Sequence, residues 1–437
     1  MKPSFLVASG SAVLAAAAAV ACAATGNNEG TRPDGGGEPT VVPTEEGGSP
    51  IDADVDVEAE ASAPRAACSA AGWCETTLPD ADLVMLDLWP LATRAFAIAE
   101  SRTLGIKVLE WSDATSSWAY IDDGTQNEPG LGTFAGKIWA PSENALFYGV
   151  GPGYVYHGTR TDPMAPWSWV RHRLQDNSHP GVVHPSDGNP RYDAMSRLSY
   201  PALGVWGTSA TDVYAWFTNT IYHWKSAGGG GAPEWVPEYT ADDAEDENEH
   251  LFFVSAAGAS ASDVWFGGAR RRATGACALL VRKTAAGFER VADGVAAFEC
   301  TPRPDVSMIG GAEGWLTDLQ AGGSGQVVGL KGARDAVRIS VGADGSYGVE
   351  VATVTPPLLP SVPPATRSLW TVANESWTSR NVLVFRTKDL WAGGAREISS
   401  IALDGTPNVN QLYLVRGTSN SNLWAIGERN ALHKTTP

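Results

Sequence analysis

The chain has 437 residues and a formal charge of −18, with 31 Lys and Arg against 49 Asp and Glu, so it lacks the basic field that nucleic acid binding requires. Its 17 tryptophans and 48 glycines suit many short strands joined by tight turns. No long window carries helical periodicity, which excludes an all-helical fold.

Lys2 and an Ala-rich apolar run from Phe5 to Val20 open the chain, and Ala19-Val20-Ala21 precedes Cys22. Residues 1–21 read as a secretory signal peptide, too short and too weakly apolar for a retained membrane span. A cysteine directly after the cleavage point also resembles a bacterial lipobox, although Ala19 stands where Leu is usual. Acylation of Cys22 would make the membrane a partner through an N-terminal lipid anchor; ordinary signal cleavage is the alternative. The expected location is the outer membrane or cell surface, with a periplasmic or secreted protein as the alternative.

Residues 22–67 are rich in Gly, Pro and acids and nearly free of large hydrophobes, so they cannot build a core. About ten acids face only Arg32 and Arg65 there, and self-repulsion should keep the segment extended as a disordered tether. Calcium binding by its Asp-Val-Asp-Val-Asp run would need a preset cage, which flexible carboxylates do not supply.

Residues 68–437 form the expected folded domain. With Cys22 lipidated, Cys68, Cys74, Cys277 and Cys300 leave an even number for an oxidising compartment. Cys68–Cys74 and Cys277–Cys300 are the expected bridges, with three connectivities formally open, and no Cys-x-x-Cys pair or partnering His supports zinc.

The clearest unit is LGVWGTSATDVYAWFTNTIYHW, residues 203–224. Trp206 and Gly207 lead into a small-polar turn that ends at Asp212, whose side chain can bond nearby amides. The alternating strand through Tyr214 follows. Aligned on that aromatic, the chain offers Phe96, Phe147, Tyr214, Trp265, Trp315, Trp391 and Trp424, the first four roughly fifty to sixty-five residues apart. Asp212, Asp263 and Asp389 recur before the aromatic and read as turn caps. The wider gap between Trp315 and Trp391 holds VTPPLLPSVPPAT and reads as an excursion. Such a repeat must close to bury its strand edges, which predicts an all-β fold, a single seven-bladed β-propeller, with six or eight blades as alternatives. The strand expected at Trp73 to Leu78 would complete the C-terminal blade.

VWGTSATDVYAW with IYHW, and RGTSNSNLWAIG with ALHK, resemble the W-G-[ST]-x-x-x-D-V-[WY]-A-V-G unit and I-x-H-[WY] strand of secreted and lipoprotein-like proteins of myxobacteria and their relatives. The resemblance implies a β-propeller and brings no catalytic residue with it.

His157, His223 and His433 hold one repeat position and read as structural. His172, His179 and His184, with Asp187 and Asp193, crowd the long stretch between the second and third blades, where loops of that length often bind, but their spacing matches no metal motif. The acid run Asp242 to Glu249, the Gly228 to Gly231 string and the Arg270-Arg271-Arg272 cluster read as solvated loop features. No G-x-S-x-G, H-E-x-x-H, P-loop or dinucleotide fingerprint occurs. The expected protein is therefore a monomeric, non-catalytic, surface-tethered binding or scaffold propeller for a protein or glycan ligand, with no cofactor and no metal. The alternatives are a carbohydrate-active hydrolase or lyase, with acids from several blades meeting at the channel mouth, and a purely structural envelope protein.

Overall fold

A computed structural model of the chain describes residues 68–178, 191–193, 198–226, 232–245, 247–297, 299–311, 313–354, 365–403 and 405–437. The expected signal peptide, Cys22 and the 22–67 tether lie outside them, as do His179, His184, Asp187, the Asp193 side chain and Gly228 to Gly231. Seven four-stranded antiparallel sheets succeed one another along residues 84–120, 135–173, 203–240, 250–292, 316–353, 368–399 and 412–434. Their first strands surround a central channel, so the chain is a seven-bladed β-propeller. The seventh sheet takes its outer strand from the start of the domain: Trp73, Cys74 and Glu75 pair with Lys434, His433 and Leu432. Both expected disulfides are present, Cys68–Cys74 beside that closing strand and Cys277–Cys300 within the fourth blade.

Local sterics explain the Trp-Gly step of the repeat. A Cβ at Gly207 would stand 2.7 Å from the Asp212 carbonyl oxygen and 2.8 Å from the Trp139 ring of the preceding blade. Only glycine lets the blade-to-blade contact close at that turn. Asp212 then accepts hydrogen bonds from Thr208 and Tyr214 and from the His223 ring, which ties the turn to two strands.

The strand registers turn the repeat into radial rows of three residues. Tyr214 pairs with Trp206 on the channel side and with His223 on the outer side. Trp424 pairs likewise with Arg416 and His433, and Phe147 with Trp139 and His157. In these three blades the imidazole lies flat on the aromatic ring, with centroids 4.1, 4.3 and 4.0 Å apart. In the fourth and sixth blades Arg282 and Arg386 replace histidine, over Trp265 and Trp377, and each bonds the acid that starts the second strand, Asp263 or Glu375. The recurring histidines are thus half of a stacked pair.

Five of the seven aligned aromatics occupy the second strand of a blade, and two do not. Trp315 precedes the first strand of the fifth blade and packs against Tyr200 and Phe252. The row position of that blade belongs to Val328, paired with Gln320 and Arg338. Trp391 sits in a single 3-10 turn, Leu390–Ala392, that begins after Asp389 at a φ of 50°. The sixth blade uses Trp377 instead, paired with Trp370. With Val328 and Trp377 as anchors the gap between Trp315 and Trp391 disappears.

Three further expectations change. Arg270 is fully buried, bonded to Asp243, Glu249 and Asp293, so neither the Arg cluster nor the acid run is simply solvated. His172 belongs to the outer strand Ser168–Arg173 and packs edge-on against Trp224, away from any metal-like grouping. Among the described residues no His, Cys, Asp and Glu cluster could hold a metal ion.

Burial, helped at His157 by His172, lowers the pKa of that ring from its ordinary 6.5 to about 4, and burial does the same at His433. The unfolded chain therefore takes up protons between pH 6.5 and 4 that the folded chain does not, and stability is expected to fall as pH falls through that window. His223 runs the other way. Burial opposes its charge, but bonds to Asp212 and Glu238 raise its pKa, so it contributes stability below pH 6.5 that is lost as pH rises through the folded value. After discounting for partial exposure, each low-pKa histidine is expected to cost about 2 kcal/mol on going from about pH 7 to about pH 4. Urea unfolding of the H157F/H433F variant should show a shallower loss over that range than the parent chain; an unchanged slope would refute the assignment.

Candidate functional site

The seven innermost strands enclose a cavity of about 730 Å3 to which every blade contributes. Its character follows from the row registers. The channel-side partners of the anchor residues are Trp89, Trp139, Trp206, Ala257, Gln320, Trp370 and Arg416. All but Trp139 line the cavity, so the Trp of the Trp-Gly step is an aromatic wall element of the channel. Most of the inward faces of such strands would otherwise be small or apolar, as at Val205, Ala256 and Leu319.

Against this wall stands a charged group built from three consecutive blades. Asp87, nearly inaccessible, follows a register shift in the first strand of the first blade. Its Oδ2 accepts the Ile138 N–H at 2.9 Å, and its Oδ1 lies 3.2 Å from Arg416 of the seventh blade and 3.6 Å from Lys137 of the second. The Arg416 guanidinium donates to the Leu88 carbonyl at 2.6 Å and lies between the Trp89 and Trp370 rings, 5.4 and 5.9 Å from their centroids. One carboxylate thus joins the blades on either side of the ring closure.

Asp318 approaches the same group from the fifth blade. It lies in the bulge between Thr317 and Gln320, where the strand register shifts, and its φ of 50° is in the left-handed region that aspartate tolerates at a cost. The side chain borders open channel space while lying deep inside the ring. Burial lifts its carboxyl above the usual carboxylate range; Lys137 and Arg416 pull it back, and the charge on Asp87 pushes it up further. Gln320 fixes the far side of the bulge, donating to the Leu369 carbonyl at 2.6 Å and accepting the Thr371 N–H at 2.6 Å.

At the start of the innermost strands the cavity is edged by Tyr200, Arg367 and Tyr413. Tyr200 belongs to the long connection between the second and third blades, which therefore does reach the channel, through Leu198–Tyr200 and not through His172. Glu100, also on the cavity wall, accepts the Ala135 N–H at 2.9 Å.

Of the residues singled out from sequence, Trp206 and Gly207 border the channel, whereas Asp212, Tyr214, Asp263, Trp265 and Trp424 lie farther out in the blades. Asp212 is held at about 2 against the opposing effect of burial, by bonds from His223, Thr208 and Tyr214. It serves the row and not the cavity. Cavity acids come from two blades, Asp87 and Glu100 from the first and Asp318 from the fifth, among the described residues. Asp87, Lys137, Asp318, Arg367, Trp370 and Arg416 escaped the sequence reading. For Asp87, Lys137 and Arg416 the one visible signal is a charge in a first-strand segment that is otherwise apolar, as in LDLWP, GKIWAP and LVRG.

No family model matches the chain, and no curated protein matches it. Among solved structures, YCF48 from Cyanidioschyzon merolae is similar over 84% of this chain and 99% of its own, at 11% identity and a TM-score of 0.50. Sqt1 from Saccharomyces cerevisiae covers 83% of this chain and 99% of its own, at 10% identity and a TM-score of 0.45. At such identity the likeness to YCF48 is one of fold alone.

Proposed function

We propose that this chain is an exported binding propeller that captures a polar ligand in its central channel and is held at a bacterial envelope by a lipid on Cys22. The observation that carries the reading is the cavity itself. It combines tryptophan walls with a small number of convergent charged groups, the usual composition of a ligand site, in a volume of the usual size. Two disulfides support an oxidising compartment, and the sequence around Trp206 supports kinship with secreted and lipoprotein-like myxobacterial propellers.

Screening the full chain against peptide and glycan libraries by thermal shift should yield ligands whose affinity drops at least about tenfold in Trp206→Ala. Ligands that ignore that change would sink the channel reading, and a purely structural role would be the outcome if nothing binds. In the second arm, Cys22→Ser should move the protein from the membrane to the soluble fraction; unchanged partitioning would count against the anchor.

A hydrolytic reading keeps one observation in its favour. Asp318, whose pKa burial raises, shares the cavity with Asp87, which lies among cations, and two carboxyl groups in unlike surroundings can divide acid and base roles. Product release from an oligosaccharide substrate that is abolished in Asp318→Asn would favour it; binding without turnover would not.

A further inference from the structure

Five residues that line the cavity each carry a buried polar atom with no hydrogen-bond partner among the described residues: Asp87 Oδ1, Trp216 Nε1, Ser255 Oγ, Trp370 Nε1 and Arg416 Nε. Asp87 Oδ1 makes ion contacts only. Buried polar groups are nearly always paired, so five around one channel favour a polar occupant that reaches them through small side-chain shifts. The set is mixed, with three N–H donors, one carboxylate oxygen and one hydroxyl that can act either way. A hydrocarbon ligand leaves all of them unsatisfied. A molecule carrying many hydroxyls, each both donor and acceptor, meets them.

The aromatic residues narrow the choice. Trp89, Trp206 and Trp370 are half-buried residues on the same wall as these polar atoms. A pyranose ring has a face of C–H groups that packs on an aromatic ring, and a rim of hydroxyls that reaches the polar atoms beside it. Water satisfies the polar atoms but makes no use of the rings.

Charge narrows it again. In a chain of net charge −18 the cavity collects Lys137, Arg367 and Arg416. Asp87 answers two of these cations, Lys137 and Arg416, and Asp318 faces the same two. Arg367 meets no carboxylate among the described residues: it donates to Gln411 Oε1 at 3.0 Å and lies 4.8 Å over the Tyr413 ring. Glu100 already accepts the Ala135 amide. Among the described residues Arg367 is therefore an anion handle without an anion, and its guanidinium suits a carboxylate. Arg367 and Trp370 are three residues apart on one extended segment, about 10 Å, which is the reach of two linked sugar rings.

We propose that the channel takes a uronic acid disaccharide, its carboxylate at Arg367 and its rings against the channel tryptophans, with Ser255, Trp370 and Arg416 bonding its hydroxyls. This rests on the reading of the channel as the binding site.

Calorimetric titration of the full chain tests it, with digalacturonate and cellobiouronate as probes, each beside its methyl ester and its neutral disaccharide. The acids are expected to bind at least about tenfold more tightly than ester or neutral sugar, the worth of one charge-assisted contact. Arg367→Gln should erase that preference while leaving the neutral sugar's affinity unchanged. Trp370→Phe, which keeps a ring but loses the N–H, should weaken all probes alike. Circular dichroism and melting curves matching the parent establish that both variants fold. Equal binding of acid and ester, or a preference that survives Arg367→Gln, overturns the proposal. If none of the sugars binds while a peptide does so in a Trp206-dependent way, this proposal falls and the channel reading stands. Ligands indifferent to Trp206 bring down the channel reading instead.

Discussion

Replacing Trp73 with alanine is expected to cost about 3–5 kcal/mol of stability, the range for deleting a large aromatic from a packed core. Trp73 is fully buried on the strand that closes the ring. Its ring meets Trp377 of the sixth blade edge to face at 6.0 Å, and its Nε1 donates to Ser399 at 2.9 Å. Three residues on, Thr76 accepts a hydrogen bond from the Trp118 indole of the first blade, so this short segment touches both neighbours of the blade it completes. A three-residue strand supplies little backbone pairing, and the tryptophan supplies most of its hold. Trp73→Phe keeps much of the apolar area, loses the bond to Ser399 and should cost much less. Denaturant midpoints read at constant slope check both values, and an unmoved midpoint for Trp73→Ala would show that the ring closes without this contact. There is a functional consequence too. Asp87 and Arg416 come from the two blades adjoining the closure, so a loosened ring should also weaken ligand binding.

The parts of this fold that could be read from sequence are those set by neighbouring residues. Gly207, Asp212, Val213 and Tyr214 specify a turn and the strand after it within eight positions, and the same grammar at Asp263-Val264-Trp265 repeats it. That grammar misled where a local pattern was imitated. Asp389-Leu390-Trp391-Ala392-Gly393 spells a strand start, but Asp389 in the left-handed region and Gly393 at a φ of 73° make it a turn. Equally, Val328 carries no aromatic signature, because Arg338 opposite it stacks on Trp391 from another segment. The channel was harder still. Asp87, Lys137, Arg416 and Asp318 lie on four blades, and only closure of the ring brings them together. No spacing along the chain encodes that meeting. Loop arginines and acids pose the same difficulty: Arg270 and Asp293 are separated by a whole hairpin, and charge runs taken singly look like solvated surface.

Arg270→Met is therefore expected to be as damaging as the loss of Trp73, by a different route. The Arg270 side chain is inaccessible to solvent, as are those of Asp293 and Glu249. It bonds Asp293 through two nitrogens at 3.0 and 2.9 Å, and also reaches Glu249 and Asp243. Arg272, Arg290 and Arg303 complete the group with Glu245, giving four cations to four carboxylates. Removing the central cation leaves three cations to four carboxylates, two of them fully buried, at a cost of about 3–5 kcal/mol. The penalty has a pH signature. Acid relieves an excess of buried negative charge, so the gap to the parent chain should narrow as pH falls from about 7 towards 5. A triple change, Arg270→Met with Asp293→Leu and Glu249→Leu, removes the stranded charges along with their partner and should recover much of the loss. A loss of stability in Arg270→Met that is the same at every pH and is not relieved by the triple change would mean that packing around the guanidinium stem, and not its charge, fixes the 241–249 connection to the fourth blade.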